Sequence, residues 1–217
     1  AFAGGLDGRP AIEQLFMKDG KSTVDAVINL TGFSLVGGPA YNDTAAAEAI
    51  LTKLDRPYIA AHPVAFQTLQ AWGANRQGLL PLESTMMIAI PELDGGTQPM
   101  VFGGRSDGTD TACTGCQRGC TFPATGAVRQ MESCGERAEA LAGRVLKMID
   151  LRRSAEVNRR VAIVLFNFPP NAGAAGTAQF LAVFESLHAT LTRLASQGYD
   201  VEIPAPVHPL PDATLRR

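Results

Sequence analysis

Apolar positions along this chain switch repeatedly between two spacings. Val24 to Leu30 (VDAVINL) is a short β-branched run closed by Thr31-Gly32, the pattern of a buried strand. Beyond the irregular Gly37-Gly38-Pro39 segment the spacing lengthens: Ala46, Ala49, Ile50 and Leu54 recur at helical intervals, Asn42-Asp43-Thr44 supplies a cap, and Pro57 blocks continuation. Tyr58 to Ala61 reads as a second strand, Phe66 to Trp72 as a helix ended by Gly73 or Gly78, and Thr85 to Ile90 as a strand stopped by Pro91. A turn at Asp94-Gly95-Gly96 leads to a further strand from Pro99 to Phe102. Glu136 to Asn158 carries the strongest amphipathic stripe, Ala138, Leu141, Val145, Met148, Ile149 and Leu151, opposed by Glu, Arg and Lys. Arg160 to Phe168 (RVAIVLFNF) has the continuous apolar character of a fully buried strand; a helix from Thr177 to Ser196, a C-cap at Gly198 and a closing strand from Tyr199 to Ile203 follow.

Strands alternating with helices predict an α/β fold: mostly parallel sheet or sheets with helices on both faces. Gly103 to Gly135 has weak periodicity and is too long for an ordinary connection, so it reads as an irregular insert. The expected organisation is a first α/β portion over 1–102, the insert over 103–135, and a long helix with a second α/β portion over 136–217.

At 217 residues and 46% hydrophobic content, the chain can bury a sizeable core. Nineteen basic and twenty-one acidic residues give a net charge of -2 without single-sign runs, so no footprint for nucleic acid or anionic lipid is present. Apolar stretches are interrupted well before the roughly 20 residues a membrane span needs. Ala1 to Gly8 lack a signal peptide's basic start and apolar run, which predicts a cytoplasmic location, and the start at Ala1 rather than Met predicts a piece of something larger.

The chemistry is concentrated in the insert. All four cysteines lie there, as Cys113-x2-Cys116-x3-Cys120-x13-Cys134. Thiolates are soft ligands for zinc or iron–sulfur clusters, and four from one loop complete either kind of site. The spacing matches neither the bacterial ferredoxin run nor paired zinc-ribbon units, and it reverses the CxxxCxxC order of radical-SAM enzymes. A [4Fe-4S] cluster is favoured over zinc because the loop has no His, Gly115 and Gly119 let backbone N–H groups approach sulfide, and Arg118 and Arg129 offset negative charge. Zinc is the alternative, and two disulfides are a third reading, disfavoured without an export signal.

The residues outside the insert resemble a known family. Leu80-Pro81-Leu82-Glu83, then Ile90-Pro91-Glu92-Leu93-Asp94-Gly95-Gly96-Thr97-Gln98-Pro99, then Val101-Phe102-Gly103-Gly104-Arg105 look like the large porphyrin-binding subunits of magnesium chelatases and their cobaltochelatase relatives. Asn29-Leu30-Thr31-Gly32-Phe33, Ala71-Trp72, Phe168 to Gly173 and Gly176-Thr177-Ala178 add to the resemblance, which runs from about Val24 to Val201. It implies an internal segment of a much longer subunit that binds protoporphyrin IX. With two AAA+-type partner subunits hydrolysing ATP, such a subunit inserts Mg2+ in chlorophyll or bacteriochlorophyll synthesis. The absence of a Walker A pattern agrees with ATP being used by those partners. The cysteine insert departs from plant and cyanobacterial members and points to a bacteriochlorophyll-producing bacterium. In that setting it acts as a structural or oxygen-sensing site, or alternatively as a zinc-binding or disulfide-stapled module for subunit docking.

Metal insertion releases two pyrrole protons, so Glu92 is the candidate catalytic base or Mg2+ ligand, whereas Asp94 reads as a turn residue bonded to its own backbone. His62, at the carboxyl end of an expected strand, and Gly176-Thr177, at an expected helix N-terminus suited to a propionate, are the candidate substrate-binding residues. Trp72 and Phe66 read as core positions on a helix face, and His188 and His208 as bland.

Overall fold

The computed structural model describes residues 7–38, 41–122, 130–166 and 182–203. The chain divides into two compact units, Ala1–Asp150 and Leu151–Arg217. In chain order the first unit carries α1 (Arg9–Leu15), the two-residue strands β1 (Met17–Lys18) and β2 (Lys21–Ser22), then β3 (Val27–Asn29), β4 (Gly37–Gly38) and β5 (Tyr41–Asn42). It continues with α2 (Thr44–Leu54), β6 (Tyr58–Thr68), α3 (Leu69–Ala74), α4 (Pro81–Ser84), α5 (Ile90–Leu93), β7 (Met100–Arg105) and β8 (Met131–Ser133). α6 (Gly135–Arg153) starts there as well; the second unit holds a short 3-10 turn, Glu156–Asn158, and α7 (Val183–Ser196).

The main sheet has the order β3-β6-β7-β8. β6 pairs in parallel with β3 (Val27↔Tyr58, Asn29↔Ala60) and with β7 (Ala61↔Met100, His62↔Val101), while β8 closes the edge antiparallel to β7. Side chains alternate along β6, and each face has its own core. Tyr58 and Ala60 pack with Ile12 of α1 and with Ala47, Ile50 and Leu54 of α2. Ile59 and Ala61 pack with Met100 and with Leu141 of α6, flanked by Val145 and Met148. Helices therefore cover both faces of an α/β sheet, as the alternation of spacings predicts.

Local chemistry explains the elements that the sequence located. Asp43 caps α2 by accepting from the Ala46 N–H at 3.0 Å, and the left-handed Asp55 ends the helix before Pro57. β6 is much longer than the expected Tyr58 to Ala61 strand, because Pro63 does not end it. The register with β7 slips between His62 and Pro63, and this irregularity accommodates a residue that has no ladder N–H.

Several expectations are corrected. Phe66 lies on β6 and is exposed, so it is neither helical nor core. Thr85–Ala89 is a π-helical turn rather than a strand; with α4 and α5 it forms one helical stretch in which the Ile90 N–H bonds to Thr85 O, five residues back. Pro91 cannot donate to the ladder and its ring crowds the preceding turn, which favours this wider winding. The run Met86 to Ile90 is too short for periodicity to separate the two states. The insert is not wholly irregular either: β7 extends into it as far as Arg105, and β8 lies within it.

In the second unit, the described part of the expected buried strand, Arg160 to Phe166, forms no strand, and Val164 is 91% exposed. Tyr199 to Ile203 is likewise irregular. A two-sided apolar run becomes a strand only when neighbouring strands supply ladder partners, and none pairs with it among the described residues. α7 begins at Val183, and Gly198 adopts φ 91° just after it, as a helix end requires.

β7 passes between its neighbours with no room for side chains at Gly103 and Gly104. A Cβ on Gly104 would lie 2.6 Å from Val64 O and 2.8 Å from Val64 Cβ, and one on Gly103 would lie 2.4 Å from Glu132 O. Gly104→Ala is expected to destabilise the chain by about 2 kcal/mol through strand displacement, read as a lowered urea midpoint with an unchanged m-value.

Candidate metal centre and buried polar face

The four cysteines come from two places in the fold. Cys113, Cys116 and Cys120 lie on the loop after β7, where the Cys113 N–H bonds to Cys120 O at 2.8 Å and closes the segment on itself. Cys134 sits between β8 and α6; its N–H bonds to Phe102 O at 3.0 Å and its carbonyl accepts from the Ala138 N–H at 2.9 Å. It is thus fixed to the sheet and to the first turn of a 19-residue helix, whose N-terminal end favours negative charge.

All four thiols are free, half-buried, and line one cavity of about 430 Å³. Trp72, Gly73, residues Asn75 to Gly78, Phe122 and Arg137 line the same cavity. Gly73 and Gly115 meet backbone to backbone: a Cβ on Gly73 would lie 2.8 Å from Gly115 Cα and 3.6 Å from Cys113 Sγ. Trp72 is therefore a cavity wall rather than a core residue. Arg118 pairs with Glu139, which raises its pKa, and the nearby Cys116 and Cys120 add to that shift.

The donor set is soft and shares one cavity, which fits a thiolate-bound centre. Among the described residues no three His, Cys, Asp or Glu side chains are grouped to hold one ion in this conformation.

A different kind of site lies on the α2 face of the sheet. Asn29, Tyr58 and His62 are buried there. Asn29 Nδ2 donates to Tyr58 Oη at 2.9 Å and to Phe33 O at 3.2 Å, and its Oδ1 accepts from the Thr31 N–H at 2.9 Å, which fixes the start of the Asn29 to Phe33 loop. Burial pushes the Tyr58 hydroxyl up to about 12; the Asn29 bond opposes the shift and the Asp94 carboxylate adds to it.

His62 is 2% exposed and neither ring nitrogen has a partner. Burial alone lowers its pKa to about 4, so the imidazole is neutral and both nitrogens are unsatisfied. Asp94 is also 2% exposed and both carboxylate oxygens are unpartnered. The turn is present, with the Gly96 N–H bonded to Pro91 O at 2.9 Å, but the Asp94 side chain takes no part in it, which corrects the expectation of a self-bonded turn residue. Glu92 is exposed and, with Glu48, Thr52 and Asp94, lines a second cavity of about 430 Å³.

Gly176, Thr177 and His208 lie outside the described residues, as does Arg129. His188 lies on α7 in the second unit. One polar group that sequence reading passed over is Glu83, which is fully buried and accepts from the N–H groups of Phe66 (3.2 Å) and Leu80 (3.0 Å) and from Gln67 Nε2 (2.6 Å). Its signature is present in the sequence: Pro81 and Glu83 occupy the first and third helical positions, where proline and an N-terminal acid belong.

A mostly parallel sheet with helices on both faces, a glycine-rich central strand and a cavity lined by four thiols define an α/β unit. The family model described as CobN/Magnesium Chelatase matches residues 1–216, and the chain belongs to this family. It is 54% identical over 216 residues to the magnesium-chelatase H subunit of Cereibacter sphaeroides, covering 99% of this chain and 18% of that protein. It is 40% identical over 203 residues to the chloroplastic magnesium-chelatase ChlH subunit of Oryza sativa subsp. indica, covering 93% of this chain and 13% of that protein. The chain thus spans less than a fifth of these relatives. Among solved structures, the catalytic subunit of cobaltochelatase from Mycobacterium tuberculosis superposes with a TM-score of 0.55 at 23% identity, covering 81% of this chain and 14% of that one, and shares the fold.

The buried neutral His62 makes stability depend on pH in a defined direction. Its folded pKa of about 4 lies below its ordinary 6.5, so between these values the unfolded chain binds the extra proton. This contribution is complete above about pH 6.5 and is lost as pH falls toward 4, at up to about 1.4 kcal/mol per pH unit. His62→Gln is expected to flatten the dependence of urea stability on pH across that window; an unchanged slope assigns the titration to another group.

Proposed function

We propose that this chain is a segment of the porphyrin-binding subunit of a magnesium chelatase, the enzyme that inserts Mg2+ into protoporphyrin IX on the route to chlorophyll or bacteriochlorophyll. The observation that carries this reading is the 54% identity to a magnesium-chelatase H subunit over 99% of the chain. The remainder of the subunit completes the porphyrin site, and two AAA+-type partners use the ATP. The complex is cytoplasmic; among the described residues no helix is long and apolar enough to cross a membrane.

Insertion exchanges two pyrrole N–H protons for Mg2+, so the site needs proton acceptors and hard oxygen ligands. Glu92, exposed at the mouth of its cavity, serves as the base or as a ligand for the incoming ion. His62, held neutral and unpartnered, is a hydrogen-bonding contact for the macrocycle. Gly176 and Thr177 receive a propionate. Glu92→Gln in the reconstituted three-subunit complex is expected to lower kcat at least about tenfold with porphyrin affinity retained; full activity overturns the assignment.

The four cysteines hold a [4Fe-4S] cluster with a structural or oxygen-sensing role. Four thiolates lining one cavity whose described lining contains no His support this reading. Bound there, the cluster joins the loop cysteines to Cys134, with Arg118 near two of the thiolates. Anaerobic preparation is expected to yield iron and acid-labile sulfide in equal amounts, both lost in Cys116→Ser; stoichiometric zinc without sulfide overturns the cluster.

A further inference from the structure

One short segment, Asn75 to Gly78, connects the cysteine cavity to the buried Glu83 carboxylate. On the one hand these residues line the cavity together with the thiols. On the other, Gly78 O accepts from Gln67 Nε2 at 3.3 Å, and the same amide donates to Glu83 Oε2 at 2.6 Å. Glu83 in turn accepts from the Phe66 N–H at the end of β6 and from the Leu80 N–H at the start of α4. The segment is internally tied, with the Gln77 N–H on Asn75 Oδ1 at 2.9 Å and the Gly78 N–H on Asn75 O at 3.3 Å, so it responds as a unit.

Two features make the link stiff at both ends. Gly73 and Gly115 touch without side chains between them, so the cysteine loop cannot shift toward α3 without moving it. Glu83 is fully buried, so its carboxylate has no ready water to replace a donor that it loses. The weak point lies between them, in the 3.3 Å bond from Gln67 to Gly78 O.

We infer that occupancy of the cysteine cavity controls the order of the β6 end and the α4 start, through the Asn75 to Gly78 segment and the Gln67–Glu83 bond. The inference rests on the proposed ligand role of the four cysteines. Metal bound to the thiolates holds the loop, the loop holds α3 and the segment, and the segment keeps Gln67 aligned on Glu83. Loss of the metal frees this chain of contacts, and the strand that carries His62 loses the anchor at its carboxyl end. Gln67 is a positioning residue in this scheme: it touches neither metal nor substrate.

The test is hydrogen exchange followed by mass spectrometry on the full-length subunit under anaerobic, reducing conditions, comparing iron-loaded protein with protein stripped by a chelator. Iron content and visible absorbance report loading separately. Peptides containing Phe66 and Leu80 are expected to exchange about tenfold faster after stripping. Gln67→Met should load the same iron yet show no iron-dependent change at those peptides, and Cys116→Ser should exchange there like the stripped wild type. Equal exchange in loaded and stripped wild type overturns the coupling while leaving the ligand reading intact, and so does an undiminished iron effect in Gln67→Met. Protein that takes up no iron is compared with and without Zn2+ in the same way; if neither metal binds, the coupling falls together with the ligand reading.

Discussion

The fold of the first unit depends on one strand accepting partners on both edges. β6 holds β3 on one side and β7 on the other, and its alternating side chains divide the core between α2 and α6. His62, Glu83 and the cysteine cavity are all reached from it. His62 sits on its α2 face, Glu83 binds its end, α3 continues from it to the wall of the cysteine cavity, and β7, pressed against it at Gly104, leads into the cysteine loop. Pro63, an unusual residue for a central strand, is tolerated because the ladder slips beside it.

The polar groups buried around β6 fall into two classes that differ in energetic meaning. Asn29, Tyr58 and Glu83 are satisfied and fix the geometry of loops and strand ends. His62 and Asp94 are buried without partners, a state that costs stability and persists only when the surrounding packing holds it in place.

The parts of the structure visible in the sequence are those fixed by neighbours a few residues away. The Asp43 cap, the α6 stripe and the Gly198 terminus follow from local rules, and the alternation of spacings gives the α/β class. What stays hidden depends on distant partners. The full length of β6 is not legible because the tolerance of Pro63 comes from the bulge against β7; Val161 to Phe166 resembles a core strand because apolar runs do not reveal whether a ladder exists to receive them. The cysteine spacing picks out the four thiols but not the residues that share their cavity, which come some forty positions earlier. Gln67 and Glu83 lie 16 residues apart and carry no shared motif, so their bond is visible only in three dimensions.

Cys134 differs from its three companions in how it is held. Bonded through its own backbone to β7 and to the first turn of α6, it is a fixed post, whereas Cys113, Cys116 and Cys120 share one loop closed by a single hydrogen bond. Three of the thiols therefore belong to one loop and the fourth to the sheet-and-helix frame, so bringing the four together is the closure of one loop rather than the collection of four independent side chains. The loop is tied back to α6 by the Arg118–Glu139 pair and to α3 at Gly73 and Gly115, so the same few contacts set where all three of its thiols lie relative to Cys134.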